Sequence, residues 1–344
     1  MSKVMSSLGP VHLLSAVVLL LAIAIPPSLG SYFHYLGMLA LVNVIAAIGL
    51  NILTGNAGQI SLCNSSFMAI GAYATTYIHT HLGLSYWAAL PVGALIATGF
   101  GFALGFPALR LRGFYLAVVT LGFLEMTQVL IEQVPEITGG VRGISAPRPT
   151  LFGSQLSSDL AFYYVVLAIT LLAIWVAVST LRSPTGRAFN AVRNSEAVAQ
   201  TLSIPLARTK LVAFMMSAFY AGLAGGLYAT VVGFIDPLEF GAATSIRHII
   251  YIVVGGPGSV AGSIIGAFLL TLLPEALRSF QEYNGFVFGA VLLASLLLMP
   301  KGIAGLWPKL EERLRGRSSS SDDRPTAGPT ATPAPPKSAA KVHS

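Results

Sequence analysis

Glu125 is the ionisable residue set deepest in an apolar stretch, near the middle of FYLAVVTLGFLEMTQVLIEQ. A carboxylate at that depth must face other helices or water and pair with something, and both a hydrogen-bonding strut and a residue of a solute pathway meet that demand. Arg247 and His248 fall near the outer end of their segment, where long side chains snorkel. His79 and His81 come nearest to the His and acid cluster of a membrane-embedded hydrolytic enzyme, but they have no acidic partner close by and read as loop residues. Cys63 is the only cysteine, which rules out an internal disulfide and a multi-cysteine metal site. It reads as a small apolar filler in a helix. The dense set of intramembrane acids that a proton or sodium antiporter needs is missing, as is any Gly-Lys pair that could form a Walker A loop. The chain therefore offers no catalytic residues and no metal site, and energy for active transport would come from another polypeptide.

The spacing most suggestive of a pathway belongs to glycine. Two similar breaks, GNAGQIS from Gly55 to Ser61 and GGPGSVAG from Gly255 to Gly262, occupy comparable places in the two halves, each followed by a helix of small residues. Paired glycine-interrupted segments point to a transporter's pathway, and the free N–H groups of a broken helix offer a rest for a passing carboxylate. Candidate pathway residues are accordingly Gly58, Gln59, Ser61, Asn64, Ser65, Thr120, Glu125, Gly255, Gly256 and Gly258. The stretch Ser61–Tyr77, with Asn64, Ser65, Ser66, Thr75 and Thr76, is too polar to face lipid throughout. Small residues four apart form helix-packing seams at Gly101/Gly105, at Gly222/Gly226 and at Gly258/Gly262/Gly266, the last able to hold two helices together over two turns.

These residues must be positioned by membrane helices. Of 344 residues, 54% are hydrophobic and only 10% charged, far from the mix of a soluble domain. Apolar or small-residue stretches run approximately over 12–29, 35–54, 61–79, 87–109, 114–133, 161–181, 211–234, 246–254, 260–273 and 286–299, about ten helical segments. Many more spans follow the first, which reads as an uncleaved helix. The segment 246–254 is too short to span alone and reads as half of a broken helix or one arm of a re-entrant hairpin. The expected fold is all-α, a polytopic transmembrane bundle of about 8 to 10 spans with broken or re-entrant helices.

The net charge of +7 reflects topology rather than nucleic acid, because Lys and Arg sit between apolar blocks. One side of the membrane collects Arg110 and Arg112, then Arg182, Arg187, Arg193, Arg208 and Lys210, then Lys301, Lys309, Arg313, Arg315 and Arg317. The opposite loops hold Arg142, Arg148 and Arg278 with Glu136, Asp159, Asp236 and Glu239. Both termini are therefore expected in the cytoplasm. Residues 1–315 read as a permease domain with an inside loop at 182–210, and 316–344, rich in Ser, Pro, Ala and Thr, as a disordered cytoplasmic tail.

The runs NAGQISLCNSSFMAIGAYA (56–74), LRLRGFYLAVVTLGFLEM (109–126) and TGGVRGI (138–144) resemble the branched-chain amino acid permeases of ABC importers, in particular the longer M-type subunit. The second half keeps the same order and spacing, so the resemblance covers roughly 35–307. It implies a bacterial inner-membrane importer with a second related permease, two ATP-binding subunits carrying ATP and Mg, and a periplasmic solute-binding protein, while this chain binds no cofactor. Between Arg187 and Ile204 the inside loop is helix-prone and amphipathic; in family terms it is the coupling helix that seats in the ATPase, with Arg187, Arg193, Glu196, Ala197 and Leu202 as coupling residues. A helix lying on lipid headgroups is the alternative. The chain departs from the family where Cys63 and Asn64 replace Gly-His, near the pathway, which leaves room for a substrate other than leucine, isoleucine or valine, such as an amide or urea. It departs again where Leu202 and Ser203 stand in place of a glycine, a change expected to leave the loop helical or extend it. A secondary carrier or channel working without an ATPase is the rival reading.

Overall fold

The computed structural model describes residues 30–276, apart from 110, 112, 152–153 and 156–157, together with Gly289. The expected first and last spans, the basic positions Arg110, Arg112 and 301–317, and the tail 316–344 lie outside the described residues.

Besides the four-residue helix Pro135–Thr138, ten α-helices build most of the described chain: α1 Ser31–Leu50, α2 Asn64–His81, α3 Tyr86–Ala108, α4 Phe114–Gln133, α5 Asp159–Arg182, α6 Pro184–Asn194, α7 Glu196–Thr201, α8 Leu206–Val232, α9 Ala242–Gly255 and α10 Val260–Ala276. Among the described residues, five are long and apolar enough to cross a membrane, namely α1 with its extension to Asn56, α3, α4, α5 and α8. This is an all-α membrane protein with fewer full spans in the described region than the apolar stretches suggest. Two of the differences have physical causes, since α2 is polar and α9 is short, while α10 is described only as far as Ala276.

α8 is the hub, packed against α3, α2 and α1. Its small residues explain why. A Cβ on Gly71 of α2 would strike the carbonyl of Gly222, and one on Gly225 would strike the carbonyl of Met68. Gly101 and Gly105 of α3 lie against Ala218, Leu211 and Phe214. Backbones at this separation gain dispersion contacts that no larger side chain permits. α1 is buried on every side from Val44 to Leu53, as an all-apolar helix requires. α2 carries Asn64, Ser65, Ser66, Thr75 and Thr76 into the interior, all buried. His79 and His81 are in its last turn rather than in a loop, with the His81 ring stacked on Tyr77.

At the far end of α8 the two-residue strand β1 (Ile144–Ser145) pairs antiparallel with β2 (Phe234–Ile235), which ties the segment after α4 to the segment before α9. α9 and α10 then form a hairpin with its turn at Gly256–Ser259. Gly255, Gly262 and Gly266 make its seam: Gly255 and Gly262 meet backbone to backbone, and Gly266 lies against the carbonyl of Tyr251. Gly258 does not belong to that seam. It sits in the turn with φ +88°, a conformation a helix cannot hold.

Candidate functional site

The first break is built by α1 failing to stop cleanly. After Leu50 the chain continues as a π-helical turn, Asn51–Asn56, and then leaves helical geometry until Asn64. Such wide turns occur mostly at functional sites. Gly58 takes φ +71°, and the Thr54 hydroxyl donates to the Gln59 carbonyl at 3.1 Å. Leu62 N–H is caught by Thr120 Oγ1 of α4 at 3.0 Å. Cys63 is buried at the N-cap of α2, not inside the helix.

The two breaks meet. Asn51 Oδ1 accepts from Gly258 N–H at 2.8 Å, and Asn56 Nδ2 donates to the Gly258 carbonyl at 3.2 Å. Two side chains from the first break thus hold both polar groups of one peptide residue in the second. The pairing satisfies backbone groups that helix interruption leaves open. Gly258 can approach this closely only because it lacks a side chain; a Cβ there would lie 3.2 Å from the Gly55 carbonyl and 2.5 Å from Arg193 Nη1.

Arg193 comes from the loop between α5 and α8. Ser183 and Ser195 cap α6 and α7, accepting from Thr185 N–H at 3.2 Å and Val198 N–H at 3.3 Å. Gly186, Phe189 and Val192 bury the inner face of α6. The helix expected to run unbroken from Arg187 to Ile204 is therefore two helices hinged at Ser195, whose extended backbone interrupts it. Arg193, at the end of α6, lies across both breaks. Its Cα, Cβ and Cγ sit 3.1–3.3 Å from where a Cβ on Gly58 would be, and its guanidinium reaches Gly258.

Glu196 turns inward, its Oε1 2.6 Å from Lys210 Nζ of α8, and Lys210 is only 3% exposed. Ala197 and Arg187 are exposed, and so are Val198 (56%) and Leu202 (65%), which leaves an apolar patch on the outer face of the loop. Leu202 follows the last helical residue, and Ser203 adopts φ +58°. The loop stays helical to Thr201, one of the two expected outcomes, and the helix is not extended despite the absent glycine. Ser203 N–H bonds to the Gln200 carbonyl and Ile204 N–H to the Ala199 carbonyl, both at 3.0 Å, the pattern of a left-handed helix cap.

The remaining pathway candidates divide into two groups. Gln59, Ser61, Asn64, Ser65 and Thr120 are buried and bonded within the chain. Asn64 Nδ2 lies 3.0 Å from His248 Nδ1, and Ser65 Oγ 2.7 Å from Ser245 Oγ. His248 is therefore deep in the interior rather than at a snorkelling depth. Gly255 and Gly256 close the hairpin, Gly256 at φ +116°. Glu125 stands apart: it projects from the exposed face of α4 and is brought to none of the others. Sequence reasoning missed Asn51, hidden in an apolar run, and Ser245, whose partners lie about 180 positions away. Among the described residues no group of three His, Cys, Asp or Glu side chains is placed to hold a metal ion.

The sequence profile of a family described as branched-chain amino acid transport system / permease component matches residues 32–296. The chain belongs to that family. This permease is similar to the high-affinity branched-chain amino acid transport system permease protein LivM of Escherichia coli K12, at 37% identity over 83% of this chain and 73% of the relative. It is similar at 27% identity to LivH of the same organism, over 78% of this chain and 92% of the relative. A further relative is the autoinducer 2 import system permease protein LsrC of Enterobacter sp. strain 638, at 28% identity over 61% and 63% of the two chains. No solved structure matches the permease. Its relatives are transport subunits, and it is itself a transmembrane ABC transporter permease.

Proposed function

We propose that the permease is one of two related membrane subunits of an ABC importer in the bacterial inner membrane. It moves branched-chain amino acids, or small solutes such as amides or urea, inward. Two ATP-binding subunits, with ATP and Mg, supply the work, and a periplasmic solute-binding protein supplies the cargo. The whole chain crosses the membrane about 8 to 10 times, with both termini in the cytoplasm. Residues 1–315 form the permease domain and 316–344 a disordered tail.

The observation that carries this reading is the seat of Arg193. The loop 182–210 presents exposed Val198, Leu202 and Arg187 outward, while Arg193 at its centre touches Gly58 and Gly258, the tips of both breaks. A push on the outer face reaches the breaks through one side chain, with no flexible linker between. Polar atoms along α2 support a route there: Ser66 Oγ, Thr75 Oγ1 and Thr76 Oγ1 are buried without a hydrogen-bond partner, which suits a helix next to water or solute.

The test uses the permease assembled with its ATP-binding subunits in proteoliposomes. Arg193→Ala should retain ATP hydrolysis while solute uptake falls about tenfold or more, a loss of coupling worth about 1.4 kcal/mol or more. Uptake per ATP equal to that of the unsubstituted protein would remove Arg193 from the coupling route. Accumulation of solute by the permease alone, with no ATPase present, would defeat the importer reading.

A further inference from the structure

The hairpin also walls a cavity away from the coupling loop. It lies between α1, α2, α9 and α10, at the end of α9 away from the glycine turn, and has a volume of about 240 Å³. Cavities for drug-sized ligands run to about 300–1,000 Å³, so this one suits a smaller solute. Much of its wall is apolar, built from Met68, Phe240 and Leu270, all buried, with Leu36 and Leu39 of α1; Tyr228, His248 and Tyr251 complete it. Its rim carries two charges of opposite sign. Glu239 precedes α9 and Arg247 lies on its first turns; their side chains approach to 4.0 Å and are each about half exposed. Arg247 is steadied by Thr244, whose hydroxyl accepts from Nη2 at 2.9 Å. Across the cavity Asn43 Nδ2 donates to Thr271 Oγ1 at 3.0 Å, joining α1 to α10.

This combination selects a ligand class. A single cation or anion would find only half of the rim useful and would leave the other charge without a partner. A zwitterion with ammonium and carboxylate on one carbon meets both charges at once. The contact between Glu239 and Arg247 is at the outer limit of an ion pair and open to water, so exchanging it for two ligand contacts sacrifices about 0–1 kcal/mol. Beneath the rim the face made by Met68, Phe240 and Leu270 accepts a hydrocarbon branch, and of the polar lining residues Asn43 and Thr271 are already bonded to each other and His248 to Asn64. Burying that branch provides about 25 cal/mol per Å² of apolar surface.

We propose that this cavity binds an aliphatic amino acid, with its ammonium group on Glu239, its carboxylate on Arg247 and its side chain against Met68, Phe240 and Leu270. The inference deepens the importer reading and rests on it for the idea that the bound amino acid is cargo. It also links the site to the coupling loop. Seven of the fourteen lining residues belong to α9 and α10. Arg247 rides on the same helix as Gly255, about 12 Å away at 1.5 Å per residue, so a displacement of the hairpin turn beneath Arg193 moves the cavity wall with it.

The test is equilibrium binding of radiolabelled leucine to the full chain, together with its partner subunits, in lipid nanodiscs and without any solute-binding protein. The unsubstituted protein should bind leucine, with isopentylamine and isocaproate, each carrying one of its two charges, competing poorly. Arg247→Gln and Glu239→Gln change exposed side chains and should leave the fold intact. Each should weaken leucine binding about tenfold or more, and Arg247→Gln should raise isopentylamine to parity with leucine. Leucine binding unaltered in both variants, or absent from the unsubstituted protein, overturns the proposal. ATP-driven leucine uptake in proteoliposomes separates the two readings: uptake that persists in both variants leaves the importer standing and removes this cavity from the route.

Discussion

Lys210 has lost almost all contact with solvent, and Glu196 is what makes that tolerable. An unpaired ammonium group in such a place costs several kcal/mol, so removing its partner should be far more damaging than losing a surface ion pair. Glu196→Gln is expected to destabilise the α7–α8 contact by about 3 kcal/mol. Limited proteolysis should show new cleavage between 195 and 205 before any loss of the helical bundle. Glu196→Lys should be worse, and adding Lys210→Glu should restore protection; unchanged protection in Glu196→Gln would remove the pair from the stability of the loop. Ser203 offers the opposite experiment. Its left-handed conformation costs a residue with a Cβ about 1–2 kcal/mol, against an entropic cost of about 0.5–1 kcal/mol for glycine. Ser203→Gly should therefore raise the melting temperature slightly and leave uptake unchanged. The sequence marks both residues, one as an acid at a loop helix and the other as a serine where the family carries glycine. What it hides is direction: the amphipathic spacing continues through Ser195, and nothing in it tells whether Glu196 looks outward to a partner or inward to a lysine 14 positions on.

The elements themselves were more legible than their joins. Apolar blocks locate α1, α3, α4, α5 and α8, because crossing a bilayer needs a long uncharged helix. The glycine clusters mark both breaks, since glycine is poorly suited to a helix interior yet free to take positive φ. That the breaks bond to each other through Asn51 and Asn56 is a tertiary fact with no local signal. The packing seams sort the glycines into two kinds. Gly71 meets the backbone of Gly222, which has no flexible end to move aside, whereas Gly99 has no neighbour within 4 Å of a built Cβ. Gly71→Ala should reduce the monodisperse peak of detergent-solubilised protein about fivefold or more, in line with an overpacking cost of about 1–3 kcal/mol. Gly99→Ala should leave it unchanged or slightly increased. Equal behaviour of the two variants would mean that α2 and α8 do not meet at this depth.

At the scale of the whole molecule, the described residues leave much of α4 without a packing partner. Leu116, Thr120, Leu124, Thr127 and Ile131 are buried and Ala117, Phe123 and Gln128 half-buried; the remaining face is exposed, with Glu125 near its centre and Gly122 one turn earlier. A charged side chain at the middle of a membrane helix costs about 3 kcal/mol when it faces lipid, and a glycine there gains nothing from acyl chains. Both residues gain from a neighbouring helix, one by finding a polar partner and the other by letting backbones close in. The second permease subunit is therefore expected to lie along this face. Glu125→Leu separates the two environments. Against lipid it removes a cost and should raise yield with uptake intact, whereas against a partner it removes an interaction, so copurification of the second permease should fall about tenfold while this chain remains folded. Gly122→Trp should have the same effect by bulk alone. If both variants retain their partner at full stoichiometry, α4 faces lipid and the subunit contact lies elsewhere on the bundle.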